Sequence, residues 1–244
     1  MSSTKSTRFR RILLKLSGEA FVGEKSFGID PPVLNTVAGE IHRVRQLGVE
    51  IAVVIGGGNI FRGLRASEYG MDRVQADNMG MLATVINAIA LAQALRSMGS
   101  EARVMSALDM NKVVEPYVRE RAISYLEKNC IVIFGAGTGN PYFSTDTAAA
   151  LRAVELQAEV LLKATKVDGV FDSDPEQDPS SKPYTHISYQ EVIKRDLKVM
   201  DMTAVSLAMG QKLPIIVFNL RKTGNIEKVI LGQKVGTSIS GESL

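Results

Sequence analysis

Ile131-Val132-Ile133-Phe134-Gly135-Ala136-Gly137-Thr138-Gly139-Asn140-Pro141-Tyr142-Phe143-Ser144-Thr145-Asp146, residues 131–146, holds the building unit of the fold. A continuous apolar run of strand length suits a strand covered on both faces, where a one-sided strand would alternate. Glycines then let the backbone pass close to another group. The hydroxyls of Ser144 and Thr145 stand where a helix begins, and Asp146–Leu156 carries apolar residues at three- and four-residue spacing.

The same pattern spreads outward in both directions. Strand-length apolar runs occur at Phe9–Leu16, Val49–Ile55, Ala102–Met105, Val160–Leu162 and Ile215–Phe218. Helix-length segments lie between them at Val33–Leu47, Asn78–Arg96, Glu115–Glu127 and Met202–Met209. Repeated strand and helix predict an α/β three-layer sandwich around a mostly parallel central sheet. No repeat, low-complexity tract or linker divides the chain, so residues 1–244 read as one domain. Residues 172–183 (DSDPEQDPSSKP) read as a surface loop. The Asn78–Arg96 helix is apolar around much of its circumference, which places it in the core or against another subunit.

Composition narrows the function classes. With 45% hydrophobic and 23% charged residues in 244, the chain can bury a sizeable core. The single cysteine, Cys130, cannot form an internal disulfide, which suits a reducing compartment. The basic start (Lys5, Arg8, Arg10, Arg11) is followed by apolar residues only from Ile12 to Leu14 before Lys15. A secretory signal needs roughly 7–15, so a cytoplasmic protein is expected. No uninterrupted apolar run nears a membrane span of about 20 residues. A net charge of +3 suits an anionic ligand but falls short of a nucleic-acid binder.

Ligands of a parallel sheet gather beyond the carboxyl ends of its strands. Four such ends carry chemistry here. Lys15-Leu16-Ser17-Gly18-Glu19 offers a cation and approachable amides to a phosphate chain. Gly56-Gly57-Gly58-Asn59 is followed by Arg62, a planar donor fork for phosphoryl oxygens. The turn Gly135–Asp146 leads into a helix N-terminus, a natural phosphate seat, and Tyr142 and Phe143 can flank a flat base. Alternatively Thr145 or Asp146 is only an N-cap and the two aromatics are core. In the fourth, Lys163 to Pro175, Asp168-Gly169 reads as a hairpin turn between Lys166-Val167 and Val170-Phe171. The common nucleotide signatures are missing. Gly18 and Gly23 have P-loop spacing but Glu24 follows, and Gly135-x-Gly137 meets Asn140 where the dinucleotide motif needs its last glycine.

Taken together, KLSGEA (15–20), VIGGGNIFRG (54–63), DNMGMLATVINA (77–88), GTGNPYFSTD (137–146), LKATKVDGVFDSDP (162–175) and LKVMD (197–201) resemble the amino-acid kinase superfamily, and within it the bacterial UMP kinases. The resemblance runs from about Arg11 to about Ile239. It implies a cytoplasmic homohexamer that moves the γ-phosphoryl group of ATP onto UMP, with Mg²⁺ arriving on ATP and no direct protein ligand named. It implies an acceptor-binding amino-terminal half and an ATP-binding carboxy-terminal half. Lys15, Asp146, Asp201 and Arg62 would be catalytic. Lys15, Leu16, Ser17, Gly18, Gly58 and Arg62 would line the ATP phosphate path, with Thr165, Phe171 and Asp174 framing adenosine. Gly57, Asp77, Thr138, Gly139, Asn140, Pro141, Tyr142, Phe143, Ser144 and Thr145 would hold UMP, Asp77 accepting from its ribose. A GTP effector site at a subunit interface would involve Gly23, Glu24, Lys25, Ser26, Phe27, Gly28 and Arg103. Gln93 and Cys130 stand where an acidic and a basic residue are expected in GTP-responsive members, which argues against GTP control.

Two other readings share parts of this set. A kinase of a carboxylate or carbamate would keep the ATP half, but Asp77 and the Tyr142-Phe143 pair suit a nucleoside better. A silent nucleotide sensor would have no need of Lys15, Asp146 and Asp201 together.

Overall fold

The computed structural model describes residues 6–61, 70–173, 178 and 180–241. Among the described residues nine strands form one sheet: β1 (Arg11–Leu16), β2 (Glu50–Ile55), β3 (Ala102–Ser106), β4 (Glu115–Pro116), β5 (Ile131–Gly135), β6 (Val160–Thr165), β7 (His186–Ser188), β8 (Ile215–Asn219) and β9 (Thr237–Ser240). Their order is β4-β3-β5-β2-β1-β6-β8-β9-β7. Every neighbouring pair is parallel except β8 with β9. The helices are α1 (Pro31–Gln46), α2 (Arg73–Ser97), α3 (Arg119–Glu127), α4 (Thr145–Glu155), α5 (Tyr189–Lys194), α6 (Met202–Gly210) and α7 (Asn225–Ile230).

Strand alternation divides the core into two layers. Ile12, Leu14 and Leu16 of β1 face one side, with Ile41 of α1, Leu91 of α2 and Ile226 of α7. Leu13 faces the other, with Leu126 of α3, Ala149 of α4 and Ala204 of α6. The result is the three-layer sandwich expected from the sequence. Strand β1 lies at its centre, with β2 on one side and β6 on the other, so the crevice beyond its carboxyl end is where a ligand belongs.

Local chemistry sets the helix starts. Asp30, Ser144, Ser188 and Asp201 each accept an amide hydrogen bond from the first turn of α1, α4, α5 and α6 respectively. Pro31 and Pro32 open α1, where a missing N–H costs nothing. The expected helix Glu115–Glu127 loses its first residues to strand β4. Pro116 biases the residue before it towards extended backbone, and the helix starts only at Arg119.

The hairpin expected at Asp168-Gly169 does not form. Val170 and Asp172 pair instead with Tyr184 and Lys182, closing the surface loop from its base. Gly169 fits against Thr237, whose Oγ1 a Cβ there would strike, while Lys222 and Asn219 hold the Asp168 carboxylate. Helix α2 has two faces. Leu91, Ala92 and Leu95 are buried, whereas Met79, Leu82, Ile86 and Ile89 are exposed. Length and composition would let this helix cross a membrane, yet 56% of the stretch is buried inside the protein.

Candidate active site

Strand register builds the centre of the site. Lys15 on β1 lies directly opposite Lys163 on β6, and both fall in the side-chain row that faces α4. Asp146, in the first turn of α4, sits between them. Lys163 Nζ donates to its Oδ2 at 2.6 Å, and Lys15 Nζ lies 2.7 Å from Oδ1 as an ion pair without hydrogen-bond alignment. Lys163 also donates to the Val199 carbonyl. Burial alone would raise the Asp146 pKa, but the two ammonium groups outweigh it and hold the carboxyl below its ordinary range. The Lys163 pKa is lowered by burial, an effect the charge of Lys15 reinforces. Two lysines share one carboxylate here, and Asp201 is near enough to act on Lys163 as well.

Asp201 joins two helix N-termini beside this centre. It caps α6 by accepting from the Ala204 N–H at 3.0 Å, and it accepts from Thr147 Oγ1 at 2.8 Å and from Ser144 Oγ on α4. The positive ends of two helix dipoles therefore converge on the same place. Ser144 is the N-cap of α4, so neither Thr145 nor Asp146 has that role. Among the described residues no group of three or more His, Cys, Asp or Glu forms a metal cage, and Asp146 and Asp201 are both engaged by protein groups.

A cavity of about 980 Å³ opens from Lys15 towards the carboxyl ends of β6 and β8. It is lined by Lys15, Ser17, Lys163, Thr165, Phe171 and Leu197, among others. Five cations (Lys15, Lys163, Lys166, Lys198, Arg221) face it against two carboxylates, Glu19 and Asp196. Its volume is at the upper end for small-molecule sites, large enough for a nucleoside triphosphate. Of the residues expected around ATP, Lys15, Ser17, Thr165 and Phe171 line this space. The Leu16 side chain is in the core, and only its carbonyl reaches the crevice, accepting from Gly56 N–H at 2.9 Å. Gly18 packs against Gly56 and Gly58 so closely that a Cβ would lie 2.7 Å from the Gly56 carbonyl. Arg62 and Asp174 lie outside the described residues.

Next to the cavity, the residues expected to hold the acceptor come together. Gly57 rests on α2, where a Cβ would lie 2.8 Å from the Gly80 carbonyl. The Asp77 carboxylate accepts from the Tyr142 N–H at 2.8 Å and from Arg73 Nε at 2.8 Å, tying α2 to the turn 138–145. Arg73 also stacks 5.5 Å from the Tyr142 ring centre. Tyr142 and Phe143 are 68% and 53% exposed, which removes the alternative that they are core. Tyr142 and Ala136 have φ of 71° and 64°, left-handed values that cost a residue with a Cβ and that gather at functional sites.

The residues expected at a subunit-interface effector site lie in different parts of one chain, as a site shared between subunits allows. Gly23 lines the large cavity, and Gly28 is bonded to Asn59. Arg103 lines a separate cavity of about 300 Å³ with Arg96 and Ile89. Sequence reading also passed over Lys163 as a site residue. Its signal was a charged residue inside a buried strand run, one position before Ala164-Thr165.

Comparisons with known proteins show the family of the chain. The model of the amino acid kinase family matches residues 10–219. The chain is similar to a UMP kinase from Bacillus anthracis, with 42% identity and a TM-score of 0.93 over 96% of this chain and 97% of that one. It is also similar to a UMP kinase from Ureaplasma parvum (39%, 0.89, over 96% and 99%) and to a uridylate kinase from Archaeoglobus fulgidus (28%, 0.73, over 94% and 99%). With 210 residues under the family model and identity of about 40% along nearly the whole length, the chain belongs to the amino acid kinase family.

Proposed function

We propose that the protein transfers the γ-phosphoryl group of ATP to UMP, giving ADP and UDP, in pyrimidine nucleotide biosynthesis. The observation that carries this is the Lys15–Asp146–Lys163 cluster, which stands where the cation-lined cavity meets the acceptor turn. Similarity to proteins named UMP kinases supports the choice of acceptor.

The chemistry suits these parts. The acceptor is a phosphate monoester with a second pKa of about 6, already largely ionised at neutral pH, so no strong general base is needed. Asp146 and Asp201 are both engaged by their neighbours, which fits roles in orientation. Catalysis then rests on alignment and on neutralising charge at the equatorial oxygens. Lys15, Lys163 and the amides of Ser17, Gly18 and Gly57 supply that charge and those donors. Mg²⁺ bound with the triphosphate would supply further charge neutralisation there, with Asp146 or Asp201 able to orient a metal-bound water. Arg62 and Asp174 keep their proposed roles on the phosphate path and at adenosine.

Within this reading the chain is one domain, acting in the cytoplasm as a homohexamer. The exposed Met79, Leu82, Ile86 and Ile89 give α2 an apolar face for a second subunit. Light scattering at micromolar concentration should give the hexamer mass, and a monomer would remove this assembly from the proposal.

A coupled ADP-release assay with UMP, CMP, aspartate, acetylglutamate and carbamate tests the acceptor. UMP should win by well over tenfold in kcat/KM. Uracil presents a carbonyl and an N–H where cytosine presents an amino group and a bare nitrogen, so the wrong base leaves main-chain groups around Thr138–Phe143 unpaired. Equal values for UMP and CMP, or a preference for one of the carboxylates or carbamate, would discard the assignment.

A further inference from the structure

One stripe of helix α2 supports both glycine-rich turns. Gly80, Ala83, Thr84 and Asn87 recur at three- and four-residue spacing and so share a helix face. The Gly56–Gly58 turn rests directly on that face, since a Cβ on Gly57 would lie 2.8 Å from both the Gly80 carbonyl and the Ala83 Cβ. Asn87 is fully buried there. Its Nδ2 donates to the Gly56 carbonyl and to Asn59 Oδ1, both at 2.7 Å, and its Oδ1 accepts from Asn59 Nδ2 at 3.1 Å. Three residues earlier, Thr84 Oγ1 accepts from the Ala136 N–H at 2.7 Å and donates to the Met81 carbonyl at 2.7 Å.

These bonds lie where the backbone needs holding. Ala136 adopts its left-handed φ of 64° at the start of the second turn, and its amide is fixed by Thr84. Neither Thr84 nor Asn87 lines the large cavity. An apolar side chain would fill either place without the cost of desolvating an amide or a hydroxyl. What the polar groups add is direction: each matches one main-chain atom of one turn.

We infer that Thr84 and Asn87 are positioning residues for the phosphoryl acceptor, setting the Gly56–Asn59 and Gly135–Asp146 turns relative to each other from one rigid helix. The inference rests on the assignment of Gly57 and Thr138–Thr145, within those two turns, to UMP. One helix carries both bonds, so it gives the two turns a common reference.

The test uses Thr84→Val, which keeps the shape and loses the hydroxyl, Thr84→Ser, which restores it, and Asn87→Ala. Each is checked for folding by thermal denaturation, titrated calorimetrically with UMP and separately with the magnesium complex of AMP-PNP, and assayed for turnover. Thr84→Val and Asn87→Ala should weaken UMP by about five- to a hundredfold, the consequence of leaving a buried donor or acceptor unpaired. AMP-PNP binding should stay near the wild-type value in Thr84→Val and fall less than UMP binding in Asn87→Ala, whose turn also carries Gly58, and Thr84→Ser should recover UMP binding. If Asn87→Ala does not fold, the two Thr84 variants decide the matter alone. Equal loss of both ligands, no loss of UMP, or a Thr84→Ser protein as poor as Thr84→Val would overturn the inference. A wild-type protein that does not bind UMP would overturn the acceptor assignment and this inference with it. Wild-type UMP binding that all variants retain would overturn the positioning role alone.

Discussion

Lys15→Ala should leave a folded protein whose kcat is lower by about a hundred- to a thousandfold, with the KM for UMP little changed. The fold should survive because Asp146 keeps a second cation: Lys163 remains 2.6 Å from its other oxygen, so the buried carboxylate is not orphaned. Turnover should not survive, because Lys15 stands at the carboxyl end of the central strand beside the large cavity. Its ammonium carries three N–H groups and Asp146 Oδ1, 2.7 Å away, can accept only one of them, so the others are available to phosphoryl oxygens whose charge changes during transfer. Steady-state kinetics alongside a melting curve measures both halves of the expectation. A folded variant with unchanged kcat would take Lys15 out of the chemistry.

The second large effect is on acceptor affinity. Asp77→Asn should raise the KM for UMP by about tenfold to a hundredfold, the equivalent of the ~1.5–3 kcal/mol that a hydrogen bond to a charged group contributes. Two losses act together. The ribose loses a charged acceptor, and the turn loses strength in its tie to α2, since the Asp77 carboxylate now holds both the Tyr142 amide and Arg73. Tyr142, held at a left-handed φ, is free to relax once that tie weakens. The KM for ATP should stay near its wild-type value, because Asp77 does not line the large cavity. Equal loss of both substrates would move the acceptor site elsewhere.

Most of the sheet was legible because its central strands are buried on both faces and so read as unbroken apolar runs. The edge was not. His186–Ser188 and Thr237–Ser240 are short and mostly polar, each with a single isoleucine, and nothing in their composition separates them from a loop. The Asp168-Gly169 turn misled for a different reason: the dipeptide suits a hairpin, but Gly169 is required by contact with Thr237, some seventy residues away. The candidate site was legible where a motif ends or follows a strand, as at Lys15–Gly18, Gly56–Gly58 and Thr138–Asp146, whereas Asp77, inside helix α2, came only with the family resemblance. Lys163 escaped because its meaning comes from register. Only once β1 and β6 pair does it stand opposite Lys15 and reach Asp146. Thr84 and Asn87 escaped in the same way, as polar residues in an apolar helix whose partners are main-chain atoms of distant turns.

The ends of the sheet limit how copies of this protein can meet. Among the described residues one border strand, β4, has two residues and the other, β7, has three. One of the two in β4 is Pro116, which has no N–H to offer a neighbour. Borders this short give an incoming strand almost no ladder to extend, so edge-to-edge zippering, the usual route from exposed strands to aggregates, is blocked at both sides. Subunits that associate must therefore do so through side chains on the outer layers, and the bare apolar ridge of α2 is left as the natural point of contact.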